Sequence, residues 1–431
     1  MFVWPSRSPA LAPFFLVAVL AFAFTNIGAA RDMEGRDNAW IGTWAAAPQP
    51  FMPGSLETFR NQTVRLIVHS SVGGGPLRLR ISNTYGGRLL TLGKVDVALR
   101  TTGADIEAAS ARVVTFRGRR SATVPAGSMI VSDPVLLQVP ALADLAVSFY
   151  LPRETPATTS HFLALQTGYV SSVAGDRTGD ATFNVGRTIN SWPFLAGVEV
   201  KAPTAAGAIV VFGDSTVDGD GSTAEANRRW PDVLAQSLNR DAGSRGFGVL
   251  NAGIIGNRLL RGSPREPPSE FGDALGESGI ARFERDALGS SGTRFVVLRL
   301  GTNDIGFPGA LAPATDIVGV ADLIAGYRKL IAKAHRRGVR IVGTTLGPFE
   351  GAIAGPGYYS SEKEAVRQEV NAWIRNGGEF DGVVDLDLVL RDPEHPARLL
   401  PAFDSGDHLH PNDAGYAASV AAVPPTMFGA R

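Results

Sequence analysis

Four short segments in the C-terminal half of the chain carry residue types that together could cleave an ester. In chain order they are Gly213-Asp214-Ser215-Thr216, Asn251-Ala252-Gly253, Gly301-Thr302-Asn303-Asp304 and Asp407-His408-Leu409-His410-Pro411. Cleavage by a serine needs a nucleophile, a base that takes its proton, and hydrogen-bond donors for the charge that develops on the carbonyl oxygen. The four segments supply a candidate for each role, so the sequence favours nucleophilic hydrolysis.

Ser215 is the candidate nucleophile, and the Asp-x-x-His pair supplies its base. A free serine hydroxyl is a weak nucleophile, and His410 could take its proton while Asp407, three residues earlier, orients the imidazole and stabilises its cation. His408 is the alternative base, although only one residue separates it from Asp407. A lone serine in this setting is more often an ordinary turn or helix-capping residue. The other three segments make nucleophile the preferred interpretation.

Three donors are candidates for an oxyanion hole. They are the backbone N–H groups of Ser215 and Gly253 and the side-chain amide of Asn303. Glycine allows the backbone to approach a substrate closely, and asparagine offers two donors without a charge. We expect Asp304 to hold the loop that directs the Asn303 amide, and Asp214 to stabilise the turn that carries the serine.

The elements that must position these residues divide the chain into two predicted domains. Between residues 38 and 201 apolar and polar residues tend to alternate, as in Leu77, Leu79 and Ile81, which is typical of half-buried strands. Glycine-rich turns separate these strands and no long helical pattern intervenes. The pattern predicts an all-β sandwich or jelly-roll domain.

From residue 207 to residue 425 short apolar runs alternate with helical patterns, which predicts an α/β domain with a mainly parallel, doubly wound sheet. The predicted strands are 208–212, 248–250, 295–300, 339–344 and 382–386, and the predicted helices are 231–240, 318–337, 361–376 and 412–421. Ligands bind at the carboxyl ends of the strands in such sheets. The four segments fall at these ends.

Gly-Asp-Ser, Gly253, Gly-x-Asn-Asp and Asp-x-x-His-Pro resemble the four blocks of the SGNH hydrolase superfamily, also called GDSL esterases. The resemblance covers roughly residues 207–425 and implies a three-layer α/β/α fold without a metal or cofactor. It implies that Ser215 is nucleophile and first oxyanion donor, that Gly253 and Asn303 are the second and third donors, and that Asp407 and His410 are acid and base. It also favours His410 over His408. Thr216 stands where many members carry leucine, but this side chain is not a reacting group.

Residues 1–30 have the pattern of a secretory signal peptide. Arg7 precedes an apolar run from Leu11 to Phe24, and small residues follow at Gly28-Ala29-Ala30. The run is shorter than the ~20 residues that span a membrane, so we expect a secreted or periplasmic protein with no stable membrane span after cleavage. The chain has no cysteine and therefore no disulfide or thiol nucleophile.

The sequence predicts a serine esterase that works through an acyl-enzyme on a small-molecule or polysaccharide ester. Its 41 basic and 41 acidic residues balance, so no net field favours nucleic acid. Acetyl or other short acyl esters of carbohydrate are the preferred substrates. The alternatives are a glycan acyltransferase, a lipid esterase or lysophospholipase, and a glycan-binding protein with an inert hydrolase domain. We expect Tyr358 and Tyr359 at the rim of the substrate cleft and His161 among ordinary surface or packing residues.

Overall fold

The computed structural model describes residues 39–240, 246–265, 270–424 and 426–429. The predicted signal peptide therefore lies outside the described residues. Within the described ranges, no helix is both long enough and apolar enough to cross a bilayer. An antiparallel β domain is followed by a domain with a parallel sheet.

The N-terminal domain is built from short antiparallel strands. They are β1 (Trp40–Ala45), β2 (Gln49–Pro50), β3 (Thr58–Phe59), β4 (Gln62–His69), β5 (Leu77–Ser82), β6 (Leu90–Leu92), β7 (Lys94–Leu99), β8 (Arg112–Val114), β9 (Ala122–Val124), β10 (Met129–Val131), β11 (Asp144–Leu151), β12 (Thr155–Pro156), β13 (Thr159–Ser160), β14 (Gly168–Ser171), β15 (Val185–Ile189) and β16 (Leu195–Lys201). A 3₁₀ turn forms at Ala108–Ser110. This confirms the predicted all-β domain.

Two sheets make up most of this domain. One has the strand order β1-β16-β5-β10 and the other β15-β14-β4-β11-β7-β8. Alternating side chains of both sheets, such as Leu66 and Val147 from one and Leu79 and Val198 from the other, belong to the same buried cluster. The alternation seen in the sequence thus buries one side of each strand between the sheets.

The C-terminal domain has a five-stranded parallel sheet with the order β18-β17-β19-β20-β21. Its strands are β17 (Gly207–Gly213), β18 (Phe247–Gly253), β19 (Thr293–Arg299), β20 (Arg340–Thr344) and β21 (Gly382–Val384). Its helices are α1 (Ser215–Asp218), α2 (Trp230–Asn239), α3 (Gly279–Phe283), α4 (Thr302–Gly306), α5 (Val320–Arg336), α6 (Ser361–Asn376), α7 (Leu386–Leu390) and α8 (Asp413–Ala421), with a π-helical turn at Glu284–Leu288 and 3₁₀ turns at Ala314–Asp316 and Pro401–Phe403.

Helices cover both faces of the parallel sheet. Ile209 and Val211 point to a cluster that includes residues of α2, α7 and α8, whereas Val210 and Phe212 belong to the cluster on the other face with residues of α5 and α6. Both faces of each central strand are therefore buried, which explains the continuous apolar runs. The three-layer α/β/α fold is the predicted SGNH hydrolase architecture.

The last predicted strand, 382–386, is too long by two residues. Asp385 instead caps helix α7, because its side chain accepts a hydrogen bond from Leu388 N. Helices α1, α3, α4 and α7 were not predicted, since each is only four or five residues long. Such short helices carry too little apolar periodicity to be recognised.

Strand β18 is an edge strand of the parallel sheet, and the β domain packs closely against it. The backbone N–H of Val249 donates to Ser71 Oγ at 2.9 Å. One residue earlier in the strand, a Cβ added to Gly248 would lie 1.9 Å from the carbonyl oxygen of Gly42, so the two backbones approach as only glycine permits. The β domain therefore covers an edge that would otherwise be open to other strands.

Candidate active site

Ser215 stands at the start of α1, directly after strand β17 ends at Gly213. The Asp214 side chain caps this helix, because its Oδ1 accepts Thr216 N at 3.1 Å and the Thr216 hydroxyl at 2.7 Å. Asp214 thus stabilises the turn as predicted, and burial raises its pKa. The N–H of Ser215 occupies the first helical position, where a backbone donor has no acceptor within the helix. It is therefore a candidate donor to an external acceptor.

Ser215, His410 and Asp407 form one hydrogen-bonded chain. The distance from Ser215 Oγ to His410 Nε2 is 2.7 Å, and that from His410 Nδ1 to Asp407 Oδ2 is 2.5 Å. Because the carboxylate accepts at Nδ1, that nitrogen carries the proton and Nε2 is free to accept the proton of the serine. The structure brings together the three residues that were predicted as the triad.

The environment of the triad favours an ionised Asp407 beside a basic His410. Although burial acts in the opposite direction, hydrogen bonds from His410 and from the backbone N–H groups of Leu409 and His410 hold the pKa of Asp407 well below its usual value. Burial also opposes protonation of His410, but the bond to Asp407 and the charge of Asp220 raise the pKa of the imidazole. The pair is thus suited to receive the serine proton.

His408, the alternative base, faces away from Ser215. Its Nδ1 lies 2.5 Å from Asp404 Oδ2, and about half of its side chain is exposed (51%). Two histidine–aspartate pairs therefore occur in one loop, and only the pair with His410 reaches the nucleophile. Among the described residues, no group of three or more His, Cys, Asp or Glu side chains is arranged to hold a metal ion.

Asp220 is a second carboxylate beside the catalytic histidine, and the sequence analysis did not find it. Its Oδ2 lies 3.7 Å from His410 Nε2, on the side of the ring that faces Ser215 rather than Asp407. Burial raises the pKa of Asp220, whereas the proximity of His410 lowers it. No spacing in the sequence pointed to this role, because the contact joins residues 220 and 410 through the tertiary fold.

Asn303 is held so that its amide faces the site. The hydroxyl of Tyr358 donates to Asn303 Oδ1 at 2.8 Å, and Asn303 Nδ2 donates to the carbonyl of Asn257 at 3.0 Å. The carbonyl of Asn257 can only accept, so the amide atom that faces it is the nitrogen. Nδ2 carries two hydrogens and Asn257 takes one, so the other is available to an oxyanion.

Tyr358 does not lie at a rim, so that prediction is wrong. It is fully buried and contacts Phe307 and Phe349, and its hydroxyl serves Asn303. Tyr359 is half-buried and packs edge-on against Phe349. A buried phenol needs a hydrogen-bond partner, and for Tyr358 this partner is the candidate oxyanion donor.

Gly253, predicted as an oxyanion donor, directs its N–H elsewhere. That N–H donates to Asn251 Oδ1 at 2.9 Å, so in this structure it is not available to a substrate. The glycine is required for another contact, because an added Cβ would lie 2.2 Å from Asp218 N in helix α1. Gly253 therefore permits close packing of β18 against the nucleophile helix, and the role assigned to its N–H has to be corrected.

Gly256, three residues later, is the donor that the loop leaves available. The intervening N–H groups are used, since Ile254 N donates to Gly213 O and Ile255 N to Asp218 Oδ2. Within the described ranges the N–H of Gly256 has no acceptor, and its φ of 69° is one that glycine adopts readily. The two glycines stand in a Gly-x-x-Gly spacing, and only the hydrogen bonds of the folded loop distinguish the second from the first.

Asp304 holds the loop that follows Gly256, and Arg282 holds the ends of β17 and β18. Asp304 accepts Leu259 N at 2.6 Å and Leu260 N at 2.9 Å, and its burial, which outweighs these bonds, raises its pKa to about 6. Arg282 is completely buried and donates to Gly213 O at 2.7 Å. It also donates to the carbonyl of Ala252, to the side chain of Asn257 and to the carboxylate of Asp286. The role of Arg282 was missed because helix α3 was not predicted.

Residues 211–418 match the model of the GDSL-like Lipase/Acylhydrolase family. The match spans all four predicted segments and most of the C-terminal domain. A comparison with curated proteins found no match.

Solved structures of the same kind of domain resemble about half of the chain. A GDSL-like lipase from Bacteroides thetaiotaomicron is 16% identical, with 51% of this chain and 87% of that chain covered and a TM-score of 0.36. A catalytic mutant of an acetylxylan esterase from Geobacillus stearothermophilus is 20% identical, with 51% and 92% covered and a TM-score of 0.36. The native aryl esterase of M. smegmatis is 19% identical, with 50% and 96% covered and a TM-score of 0.37.

Proposed function

We propose that the protein is a serine esterase that cleaves carboxylic esters through an acyl-enzyme. The observation that carries this proposal is the continuous hydrogen-bonded chain from Ser215 Oγ through His410 to Asp407. This arrangement can deprotonate the serine and stabilise the resulting imidazolium. Its position at the carboxyl end of a parallel strand is where α/β folds bind ligands.

In the acylation step Ser215 Oγ attacks the ester carbonyl while its proton moves to His410 Nε2. The new C–O bond converts the carbonyl oxygen into an oxyanion, which the Ser215 N–H, the Gly256 N–H and the second Nδ2 hydrogen of Asn303 would receive. Collapse of this intermediate breaks the bond to the alcohol oxygen, and His410 returns the proton to the leaving alcohol. An ester of Ser215 remains.

Water then hydrolyses the acyl-enzyme. His410 takes a proton from the water as its oxygen attacks the acyl-enzyme, and the same donors receive the second oxyanion. The bond to Ser215 Oγ then breaks, the serine recovers its proton from His410, and the carboxylic acid is released. A sugar hydroxyl in place of water would give acyl transfer, and analysis of products with an acyl donor and a glycan together separates the two outcomes.

We propose acetyl or other short acyl esters of carbohydrate as substrates. Small acyl groups are consistent with the low exposure of the reacting residues: Ser215 is 5% exposed, Asn303 4% and His410 8%. The signal-peptide pattern of residues 1–30 supports export, and a secreted or periplasmic esterase would meet polymeric carbohydrate outside the cytoplasm. A series of p-nitrophenyl esters of increasing chain length, together with acetylated polysaccharides, tests this specificity.

Replacement of Ser215 by alanine tests the proposal directly. We expect Ser215→Ala to abolish ester turnover and labelling by an organophosphonate while the unfolding temperature stays close to that of the wild type. Ser222→Ala is the matched control, since Ser222 lies in the same segment and its hydroxyl donates to Gly219 O rather than to the triad. Wild-type turnover in a folded Ser215→Ala protein would refute the mechanism.

A further inference from the structure

His161 of the β domain reaches into the catalytic domain and contacts the helix that carries the nucleophile. It is almost fully buried, with its Nδ1 3.0 Å from the carbonyl of Ala47 and its Nε2 2.8 Å from Asp218 Oδ1. A carbonyl oxygen can only accept, so Nδ1 carries a hydrogen, and a further proton must lie between Nε2 and the carboxylate. The ring therefore joins the β domain to helix α1 by two directed bonds.

The second oxygen of the same carboxylate holds the oxyanion loop. Asp218 is fully buried, and its Oδ2 accepts the backbone N–H of Ile255 at 3.0 Å. Ile255 immediately precedes Gly256, whose N–H is the available donor of this loop. Asp218 thus connects His161 on one side with the backbone of the oxyanion loop on the other.

The β domain holds the His161 ring rigidly. The ring stacks on Trp192 with centroids 5.7 Å apart and an interplanar angle of 28°, and the backbones of His161 and Trp192 exchange two hydrogen bonds. Trp192 is fixed in turn, because its indole N–H donates to Ile67 O at 2.9 Å and Trp44 packs on it edge-on. The imidazole is therefore a fixed reference point rather than an adaptable surface side chain.

Among the described residues, the side chain of Asn251 also ties the nucleophile helix to the start of this loop. Asn251 Nδ2 donates to Val217 O at 3.0 Å while its Oδ1 accepts Gly253 N. That tie ends at Gly253. Ile254 N then donates to Gly213 O at the end of β17, and the bond from Ile255 N to Asp218 is the one adjacent to Gly256. Without His161 a buried carboxylate would lose a charge-assisted partner, and it would be free to turn toward water and release Ile255.

We propose that His161 is a positioning residue, through which the β domain sets the geometry of the oxyanion loop by way of Asp218 and Ile255. This inference rests on the proposed esterase function and assigns the β domain a part in it. Oxyanion donors act mainly on the transition state, so their displacement lowers kcat more than it changes KM. A displacement of about 1 Å can reduce the rate by roughly 10²-fold.

Full-length variants of His161 test the inference. We expect His161→Phe, which keeps an aromatic ring on Trp192 but cannot donate to Asp218, to lower kcat by roughly 10- to 100-fold with little change in KM. His161→Gln offers an amide donor to the same carboxylate and should retain more of the activity. Ser71→Ala is the control, because it removes a buried bond between the two domains at Val249, near the opposite end of β18.

Amide hydrogen exchange of a peptide that covers residues 254–258 supplies a readout that does not depend on turnover. Exchange should accelerate in His161→Phe and remain unchanged in Ser71→Ala, because only the former releases the Ile255 N–H. Equal exchange of this peptide in His161→Phe and the wild type would overturn the inference, as would a kcat reduced to the same extent in Ser71→Ala. A wild-type protein without turnover or Ser215 labelling would instead refute the esterase proposal.

Discussion

The two halves of the catalytic site are constructed differently. On the acid–base side, Asp407 and His410 belong to one partly exposed loop, and Asp407 accepts hydrogen bonds from backbone groups only two and three residues away. On the oxyanion side, Asn303 is buried, and its partners Asn257 and Tyr358 are 46 and 55 residues away in the chain. One half is held by local contacts and the other by the tertiary fold.

This structural difference matches the different chemical requirements of the two halves. A proton relay tolerates a loop, because the Asp–His hydrogen bond itself orients the ring once both residues are present. An oxyanion hole has to be preorganised before the charge appears, since donors that reorganise during the reaction lose most of their benefit. The buried network of Arg282, Asp304 and Tyr358 supplies this preorganisation.

The largest decrease in kcat is expected when the Asp407 carboxylate is replaced by an amide of nearly the same size. Asp407→Asn should lower kcat by about 10⁴-fold, because an amide can favour the wrong tautomer of His410 and cannot stabilise its cation. Steady-state ester hydrolysis measures the loss. The matched control is Asp404→Asn, the same substitution in the same loop at the carboxylate that contacts His408. Equal losses in the two variants would contradict the assignment of His410 as base.

A smaller loss is expected on the oxyanion side. Asn303→Ala removes one donor, which should lower kcat by roughly 10²- to 10³-fold and leave KM nearly unchanged. Asn239→Ala is the control for the loss of a hydrogen-bonded, partly buried asparagine, because Asn239 bonds Ser71 and Phe247 near the amino end of β18. If KM rose with kcat unchanged, Asn303 would bind the ground state, and the oxyanion role would be wrong.

The same contrast explains what the sequence could predict. The Asp-x-x-His spacing is a local pattern, and the structure places Asp407, His410 and Ser215 in contact as that pattern suggested. The parallel sheet and its long helices were also predicted, because their apolar periodicity is strong. The predicted and observed boundaries of the parallel strands agree to within a few residues.

The oxyanion loop was harder to predict, because which N–H remains free depends on partners far away in the chain. The N–H of Gly253 is bound by the Asn251 side chain, and the N–H groups of Ile254 and Ile255 donate to other partners. Within the described residues, the N–H of Gly256 has no acceptor. His161 lies in another domain, 57 residues before its partner Asp218. No spacing rule in one sequence reveals contacts of this kind, since tertiary packing decides them.

Replacement of Asp220 should have the smallest effect, because Asp220 changes the pKa of His410 but is not a member of the triad. His410 must be neutral to accept the serine proton, so kcat/KM falls as the pH decreases through the pKa of His410. Three carboxylates raise this pKa against the opposing effect of burial: Asp407 at Nδ1, Asp220 at 3.7 Å from Nε2, and the more distant Asp214.

Asp220→Asn removes one of these charges and leaves the hydrogen bond to Asp407 in place. The pKa of His410 should therefore decrease, and the acidic limb of the kcat/KM profile should move to lower pH while the rate at its plateau changes little. Asp413→Asn is the control, since Asp413 accepts Thr223 N rather than facing the imidazole. An acidic limb that stayed in place, or one that moved to higher pH, would show that Asp220 does not act on the base through its charge.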